Sequence, residues 1–190
     1  FSYFSLTTIK QILKKFKLEI IDVEELNVHG GSLRLYIKKI GQTKKESKNV
    51  KKLLKKEKEF GITKKETYRN FQNQILEKKI SIWKFFSAAK KEKKKIACYG
   101  APAKGNTMLN YCQIGKDFIN FTVDKNPAKQ GKLLPGTHIP IFNLKKINEF
   151  KPDYLVILPW NLKEEIVEEM KYIRKWGGKF VVLSPKVKIF

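Results

Sequence analysis

The sequence predicts an α/β fold built on a parallel sheet with flanking helices. Its second half contains short apolar runs that alternate with amphipathic helical segments: 96–99, 118–123, 154–158 and 180–183. Strands that alternate with helices usually pair in parallel, through right-handed crossovers. The near-continuous apolar character of 154–158 is typical of a strand covered on both faces. We therefore expect a Rossmann-like domain over residues 93–190.

The first 40 residues predict a helix followed by two strands. The helix begins at Thr7 or Thr8, and the strands cover 18–23 and 33–37. One helix and two strands bury too little apolar surface to be stable alone. Residues 1–40 are therefore predicted to be the tail of a larger domain.

Residues 41–92 predict a helical linker between that tail and the Rossmann-like domain. A lysine-rich helix over 50–60 ends at Gly61, and a long helix then continues to about Ala89. Apolar residues recur along the long helix at helical spacing: Tyr68, Phe71, Ile75, Ile82, Phe85 and Phe86. We expect this stripe to pack against the following domain.

The stretch from 95 to 114 is predicted to be a strand, a small-residue turn and a helix. Gly100 and Gly105 bracket the turn, and Lys104, Asn106 and Thr107 place a cation, an amide and a hydroxyl at the helix start. Backbone N–H groups at the positive end of a helix suit phosphate. The glycine spacing matches neither the dinucleotide-binding fingerprint nor the P-loop. A tight connection whose glycines only permit close packing is the alternative interpretation.

Further polar residues follow the other strands and should lie at the same sheet edge. Parallel strands end along one edge, where open α/β sheets bind ligands. Asp124 stands where an acid reaches a ribose hydroxyl, or else caps the Asn-Pro turn that follows it. The other residues expected near this edge are Lys129, Trp160 and Asn161, and His138 lies alone in an extended loop over 134–141.

The composition limits the possible partners. A net charge of +23 fits nucleic acid, but lysines alternate with glutamates and only three arginines occur, which disfavours base recognition. No apolar run is long enough to cross a bilayer, no signal peptide is apparent, and we expect no membrane partner. Two cysteines without metal-ligand spacing predict a reduced, cytoplasmic protein, and His29 and His138 have no neighbouring ligands, so no metal site is expected.

Several unusual motifs resemble the C-terminal half of S-adenosylmethionine-dependent sugar-nucleotide C-methyltransferases. The matching segments occur in the family's order: 1–6, 28–34, 99–107, 123–124, 129–131, 134–141, 152–154 and 158–161. The resemblance covers nearly the whole chain. It implies that residues 1–40 end a methyltransferase domain and that residues 93–190 form the Rossmann-like C-terminal domain.

The resemblance also implies a function. The family's substrate is a nucleoside-diphosphate 4-keto-deoxysugar, bound between the last two domains, and its upstream domains hold S-adenosylmethionine and zinc. An expected catalytic Glu-His pair would precede Phe1, so the catalytic residues are not assigned, and His29 is the candidate within this chain. This chain alone is expected to bind substrate, hold no cofactor and transfer no methyl group, with the methyltransferase domain as its partner in cis or in trans.

Individual roles in substrate binding are expectations from the resemblance. Lys104 with the N–H groups at Gly105 and Asn106 would hold the diphosphate, and Lys129 would add a second cation. Hydroxyl groups would bind to Asp124 or Asn161, and Trp160 would stack. The substrate-binding set also includes Thr107 and His138, while the domain junction would contain His29, Gly30, Gly31 and Ser32. A non-catalytic nucleotide-binding or scaffold module, and a basic nucleic-acid-binding protein, are the alternatives.

Overall fold

The computed structural model describes residues 3–28 and 31–190, which form two compact units, one ending at Asn73 and one covering Gln74–Phe190. We call these the first and the second unit. Four elements lie within the first unit: α1 (Leu6–Lys15), β1 (Leu18–Leu26), β2 (Ser32–Lys39) and α2 (Lys48–Phe60). Helix α3 (Lys65–Lys91) begins in the first unit and continues into the second.

The first unit is a small layer of two helices on a two-stranded antiparallel sheet. Its buried core is formed by Leu6, Ile20, Val23, Val50 and Leu53. Glu57 of α2 caps the start of α1, because its carboxylate accepts hydrogen bonds from the N–H groups of Leu6 and Thr7, both at 2.7 Å. Helix α2 is therefore part of this unit.

The second unit contains a six-stranded sheet in the order β5-β4-β3-β6-β7-β8. Its strands are β3 (Ile96–Tyr99), β4 (Phe121–Val123), β5 (Ile141–Phe142), β6 (Tyr154–Ile157), β7 (Lys179–Val182) and β8 (Lys188–Ile189). Neighbouring strands are parallel except β8, which pairs antiparallel with β7. The Rossmann-like parallel sheet predicted from the sequence is confirmed.

The helices of the second unit cover both faces of this sheet. The second part of α3 and α4 (Ala103–Cys112) cover one face, and α5 (Lys145–Phe150) and α6 (Lys163–Glu169) cover the other. Successive residues of β3 point to opposite faces, as a strand requires. Ile96 and Cys98 join the core that contains Phe86 of α3 and Leu109 of α4, whereas Ala97 and Tyr99 join the core beneath α5 and α6.

Several predicted boundaries differ from the observed ones. The strand predicted over 118–123 begins only at Phe121, because the Phe118 and Ile119 N–H groups bond to the carbonyl of Gly115 in a turn. Between β6 and β7, the helical segment is α6 followed by a 3-10 helix, Lys171–Trp176. Strands β5 and β8 have two residues each and were not predicted. The division at 1–40, 41–92 and 93–190 remains a prediction, whereas the compact units meet at residue 73.

No helix in the described ranges combines the length and the apolar character needed to cross a bilayer.

Candidate functional site

The turn between β3 and α4 lies at the point where the strand order reverses. From β3, the chain proceeds outward to β4 and β5 on one side, and to β6 and β7 on the other. Ligands of open α/β sheets bind at the carboxyl edge beside such a reversal. The turns that follow β3, β4 and β6 meet at this edge, and we call it the rim.

Gly100 makes the first bend of the rim possible. Its φ is +87°, in the left-handed region that favours glycine. A Cβ atom there would lie 2.7 Å from Cδ of Pro159, so the turn after β6 packs directly against it. The Gly100 N–H donates to the carbonyl of Val123 at 2.6 Å, and the buried Thr122 hydroxyl donates to the Gly100 carbonyl at 2.7 Å. The bend is therefore fixed to β4 as well as to β6.

Gly105 allows α4 to approach the end of β6. It is buried, and a Cβ atom would lie 2.8 Å from Cβ of Leu158 and 3.1 Å from Cγ of Pro102. Neither neighbouring atom is the flexible end of a side chain, so a larger residue would displace the helix. The contacts of both glycines fit the close-packing interpretation, and a role of Gly105 in substrate binding remains a prediction.

The first turn of α4 presents polar groups on the rim. Pro102 precedes it without a capping side chain, Lys104 and Thr107 are exposed, and Asn106 is half-buried. The Thr107 hydroxyl donates to the carbonyl of Ala103 at 3.0 Å. A helix start carries partial positive charge, to which Lys104 adds a full one. This arrangement suits an anion.

Asp124 joins the turn after β4 to the turn after β3. Its Oδ2 accepts from the Ala101 N–H at 2.8 Å and from the Lys129 ammonium at 3.3 Å, and its Oδ1 accepts from the Asn126 N–H at 2.9 Å. Burial raises the pKa of this carboxyl, but the N–H groups of Asn126 and Ala101 together with Lys129 outweigh burial and hold the pKa below its ordinary value. The bond to Asn126 is the Asx turn that the sequence predicted as one alternative.

Lys129 is engaged in the same cluster. Besides Asp124, its ammonium donates to the carbonyl of Ala101 at 3.1 Å. Asp124 and Lys129 thus hold both backbone polar groups of Ala101. Their described contacts stabilise the turn, and their contacts to ribose and phosphate remain predictions.

Asn110 fastens the loop that contains His138 to α4. Its side-chain amide donates to the carbonyl of Pro135 at 2.9 Å, and Gly136 approaches so closely that a Cβ atom would lie 2.0 Å from the Asn110 Oδ1. His138 is exposed with a φ of +54°, and its N–H donates to the carbonyl of Leu134. Sequence reasoning missed Asn110. The signal that could have found it is a polar residue on a helix followed by a Pro-Gly bend.

Trp160 and Asn161 follow β6 in a short 3-10 helix, Trp160–Leu162. The Trp160 ring is half-buried against the core beneath α5 and α6, whereas Asn161 is exposed. Trp160 therefore has a packing role already, and stacking on a ligand would use its remaining exposed part.

A second cluster missed by sequence reasoning lies between β3 and α6. Oε2 of Glu169 accepts from the Tyr99 hydroxyl at 2.7 Å and from the Lys125 ammonium at 2.9 Å. Burial, the hydrogen bond to Glu169 and nearby carboxylates raise the pKa of the Tyr99 hydroxyl well above its usual range, so it stays protonated. No apolar pattern or motif identifies such a cluster, because its members lie on three different elements.

The described chain thus brings the predicted residues together to different degrees. Lys104, Asn106 and Thr107 share one helical turn, and Asp124 contacts Lys129 directly. Gly31 and Ser32 lie in the first unit, and His29 and Gly30 fall outside the described residues. Within the described ranges, no group of His, Cys, Asp and Glu side chains is arranged to hold a metal ion.

Comparison with known proteins identifies the family. The model of the "C-methyltransferase C-terminal domain" family matches residues 27–185. C-methyltransferase NovU of Streptomyces niveus is 33% identical over 189 residues, which is 100% of this chain and 45% of NovU. The chain therefore spans less than half the length of this relative.

A solved structure, the UDP-D-quinovosamine 4-dehydrogenase of Vibrio fischeri, aligns over 47% of this chain and 76% of its own, at 19% identity and a TM-score of 0.36. The family match itself extends from the end of β1 to the turn after β7, so it includes every element of the rim. The resemblance first seen in the motifs is confirmed, and the chain belongs to the C-methyltransferase C-terminal domain family.

Proposed function

We propose that this chain is the nucleotide-sugar-binding part of an S-adenosylmethionine-dependent C-methyltransferase. The proposed substrate is a nucleoside-diphosphate 4-keto-deoxysugar. The observation that carries the proposal is the family match through all elements of the rim, at the strand reversal where α/β sheets bind ligands. The name of the relative, a C-methyltransferase, supports the reaction class.

In this proposal the diphosphate binds at the first turn of α4. The helix start and the Lys104 ammonium supply positive charge, and the side-chain amide of Asn106 supplies a donor. The close contact between Gly100 and Pro159 fills the space directly between the two turns. The diphosphate would therefore lie over the outer side of the rim.

The remaining rim residues would orient the sugar nucleotide. Asn161 is exposed and offers an amide to hydroxyl groups, while Trp160 would stack through its exposed part. Asp124 and Lys129 would act first by fixing Ala101, which sets the path of the chain into α4. His138 would contribute from the loop that Asn110 fastens to α4.

In this proposal the methyl donor binds to another part of the enzyme. S-adenosylmethionine would supply the methyl group when bound, and in this chain Gly100 and Gly105 are already packed against Pro159 and Leu158. This chain's own residues would bind and orient the sugar nucleotide.

Calorimetric titration of the 190-residue chain with dTDP and UDP tests the proposal. We expect binding by the unmodified chain and at least about tenfold weaker binding by Lys104→Met, because a contact between two charged groups contributes about 1.5–3 kcal/mol. Lys116→Met is the matched control, since Lys116 is exposed beyond the other end of α4. It should change affinity less than about twofold.

Three outcomes would contradict the proposal. They are no binding of either nucleotide at millimolar concentration, equal binding by Lys104→Met, and tight binding of S-adenosylmethionine by the chain alone. Binding to duplex DNA that falls steeply with salt would instead favour the nucleic-acid alternative raised by the net charge of +23.

A further inference from the structure

Helix α3 carries a lysine on the face that packs against the sheet. Ile82 and Phe86 of α3 are buried in the core that also contains Leu158 and Leu183, the residues that follow β6 and β7. Lys78 stands four residues before Ile82, so it lies on the same face of the helix, one turn further along. Because lysine is rarely fully buried, this turn marks where the inner face of α3 leaves the apolar core.

The contact made by Lys78 places it at the carboxyl edge of the sheet. Its ammonium donates to the Ser184 hydroxyl at 3.3 Å. Ser184 is the second residue after β7, which pairs in parallel with β6, so the turn after β7 lies at the same edge as the rim. Both residues are partly exposed. Helix α3 and the turn after β7 therefore extend the rim by one more strand and add a cation to it.

The charge of Lys78 is less compensated than that of two other lysines at this edge. Lys125 is paired with Glu169, and Lys129 is paired with Asp124. The Lys78 ammonium instead bonds to a neutral hydroxyl, and no carboxylate of the described residues forms an ion pair with it. Lys78 can therefore offer an anion its charge without first breaking an ion pair.

Lys78 and Lys104 approach the edge from the same face of the sheet. The helices that carry them, α3 and α4, both pack on the core that contains Phe86 and Leu109. Strands β3 and β7 are separated by β6 alone, so their carboxyl ends are roughly 10 Å apart. With the nucleoside toward β4, on the other side of β3, a diphosphate that starts at α4 would extend toward the turn after β7.

We propose that Lys78 and Ser184 form the subsite for the second phosphate of the nucleoside diphosphate, the one attached to the sugar. This inference rests on the proposed function and assigns the two phosphates to different helices. The first phosphate binds at the start of α4 with Lys104, and the second binds the Lys78 ammonium of α3. The Ser184 hydroxyl accepts from Lys78, so its own proton is available to a phosphate oxygen. The subsite distinguishes a diphosphate from a monophosphate.

Calorimetric titration of the whole chain with UDP and UMP tests the subsite. We expect Lys78→Met to bind UDP at least about tenfold more weakly and UMP less than about twofold more weakly, because only UDP carries the second phosphate. Lys78→Arg keeps the charge and should stay within about threefold of the unmodified chain for UDP. Lys84→Met is the matched control, since Lys84 is exposed on the same helix, and it should change neither affinity more than about twofold.

Trace acetylation of the unmodified chain gives a second measurement that does not depend on the folding of a variant. A bound phosphate shields the ammonium, so saturating UDP should slow acetylation of Lys78 at least about fivefold. Saturating UMP should slow it less than about twofold, and Lys84 in the same peptide map should react equally under all conditions.

The outcomes separate this inference from the proposed function. If both nucleotides bind but UDP leaves Lys78 unprotected, or if Lys78→Met loses the same factor for UDP and UMP, the second-phosphate subsite is overturned and the proposed function stands. An equal loss in Lys84→Met would also overturn the subsite, because it would assign the effect to net charge. If neither nucleotide binds, the proposed function fails and the subsite fails with it.

Discussion

Replacing Asp124 by Asn tests whether the rim is held together by one carboxylate. The Asp124 side chain is only 13% exposed and accepts from two backbone N–H groups, those of Ala101 and Asn126. Asp124→Asn keeps one acceptor oxygen and directs an NH₂ group toward the other N–H. A hydrogen bond to a charged group contributes about 1.5–3 kcal/mol, so we expect the second unit to lose about 2 kcal/mol at pH 7.

Urea unfolding followed by tryptophan fluorescence measures this loss. All three tryptophans, Trp83, Trp160 and Trp176, lie in the second unit, so their fluorescence reports on that unit. Asp117→Asn is the control, because Asp117 is exposed on the same unit. It should change the free energy of unfolding by less than about 0.5 kcal/mol.

The pH dependence supplies an independent check. Asp124 has a pKa below its ordinary value in the folded chain, so its stabilising effect is complete above the unfolded pKa of about 3.9 and is lost as pH falls through the folded value. The difference between wild type and Asp124→Asn should stay constant from pH 7 to 5 and shrink below about pH 4. A difference under 0.5 kcal/mol at pH 7, or one that does not change down to pH 3, would refute the reasoning.

Two further substitutions test contacts elsewhere. Gly136→Ala should destabilise the second unit by about 2–4 kcal/mol, because a Cβ atom would lie 2.0 Å from Asn110 Oδ1 at a φ of +80°. The double variant with Asn110→Ala should recover part of that loss in tryptophan-monitored unfolding, and strictly additive effects would contradict the contact. Glu57→Gln should destabilise the first unit by about 2 kcal/mol, because one of the Leu6 and Thr7 N–H groups loses its charged acceptor. Faster amide exchange in α1 would show this loss. Because the tryptophan signal reports on the second unit, a shift of its unfolding midpoint by the same free energy would contradict an effect confined to the first unit.

The sequence predicted strands β3 and β6 accurately because they are short, apolar and, except for the half-buried Tyr154, buried. Strand β3 has the predicted bounds, 96–99, and β6 ends one residue before the predicted run over 154–158. The two-residue strands β5 and β8 carry too little pattern to be recognised. They exist because β4 and β7 offer edges to which passing segments bond.

Helix α2 packs into the first unit through contacts that its composition does not indicate. Its lysine-rich sequence is typical of a solvated linker, but Val50 and Leu53 are buried against β1 and α1. Leu54 packs against the same core and Glu57 caps α1, so these contacts together fix α2 to the first unit. Composition averaged over the segment concealed that face.

At the rim, the sequence predicted which turns meet but not how they are joined. Convergence follows from parallel pairing, which placed the segments after β3, β4 and β6 at one edge. The partners of Asp124 include the backbone N–H groups of Ala101 and Asn126, and backbone donors carry no signature of their own in a sequence. The partner of Asn110 is a carbonyl 25 residues away in the chain. Such contacts depend on loop paths that residue types alone do not specify.

The charges of the rim lysines decide which one is informative in a binding experiment. Lys125 is paired with Glu169 at 2.9 Å, and Lys129 is paired with Asp124 at 3.3 Å, so the turn after β4 offers an anion less charge than its sequence implies. Removing Lys129 would also disturb the Ala101 carbonyl, and a loss of affinity would not distinguish a ligand contact from a displaced turn. Lys104 lies in the first turn of α4, and Gly105 in that turn packs against Leu158. For Lys104→Met, weaker nucleotide binding counts as the loss of a ligand contact when the unfolding midpoint is unchanged.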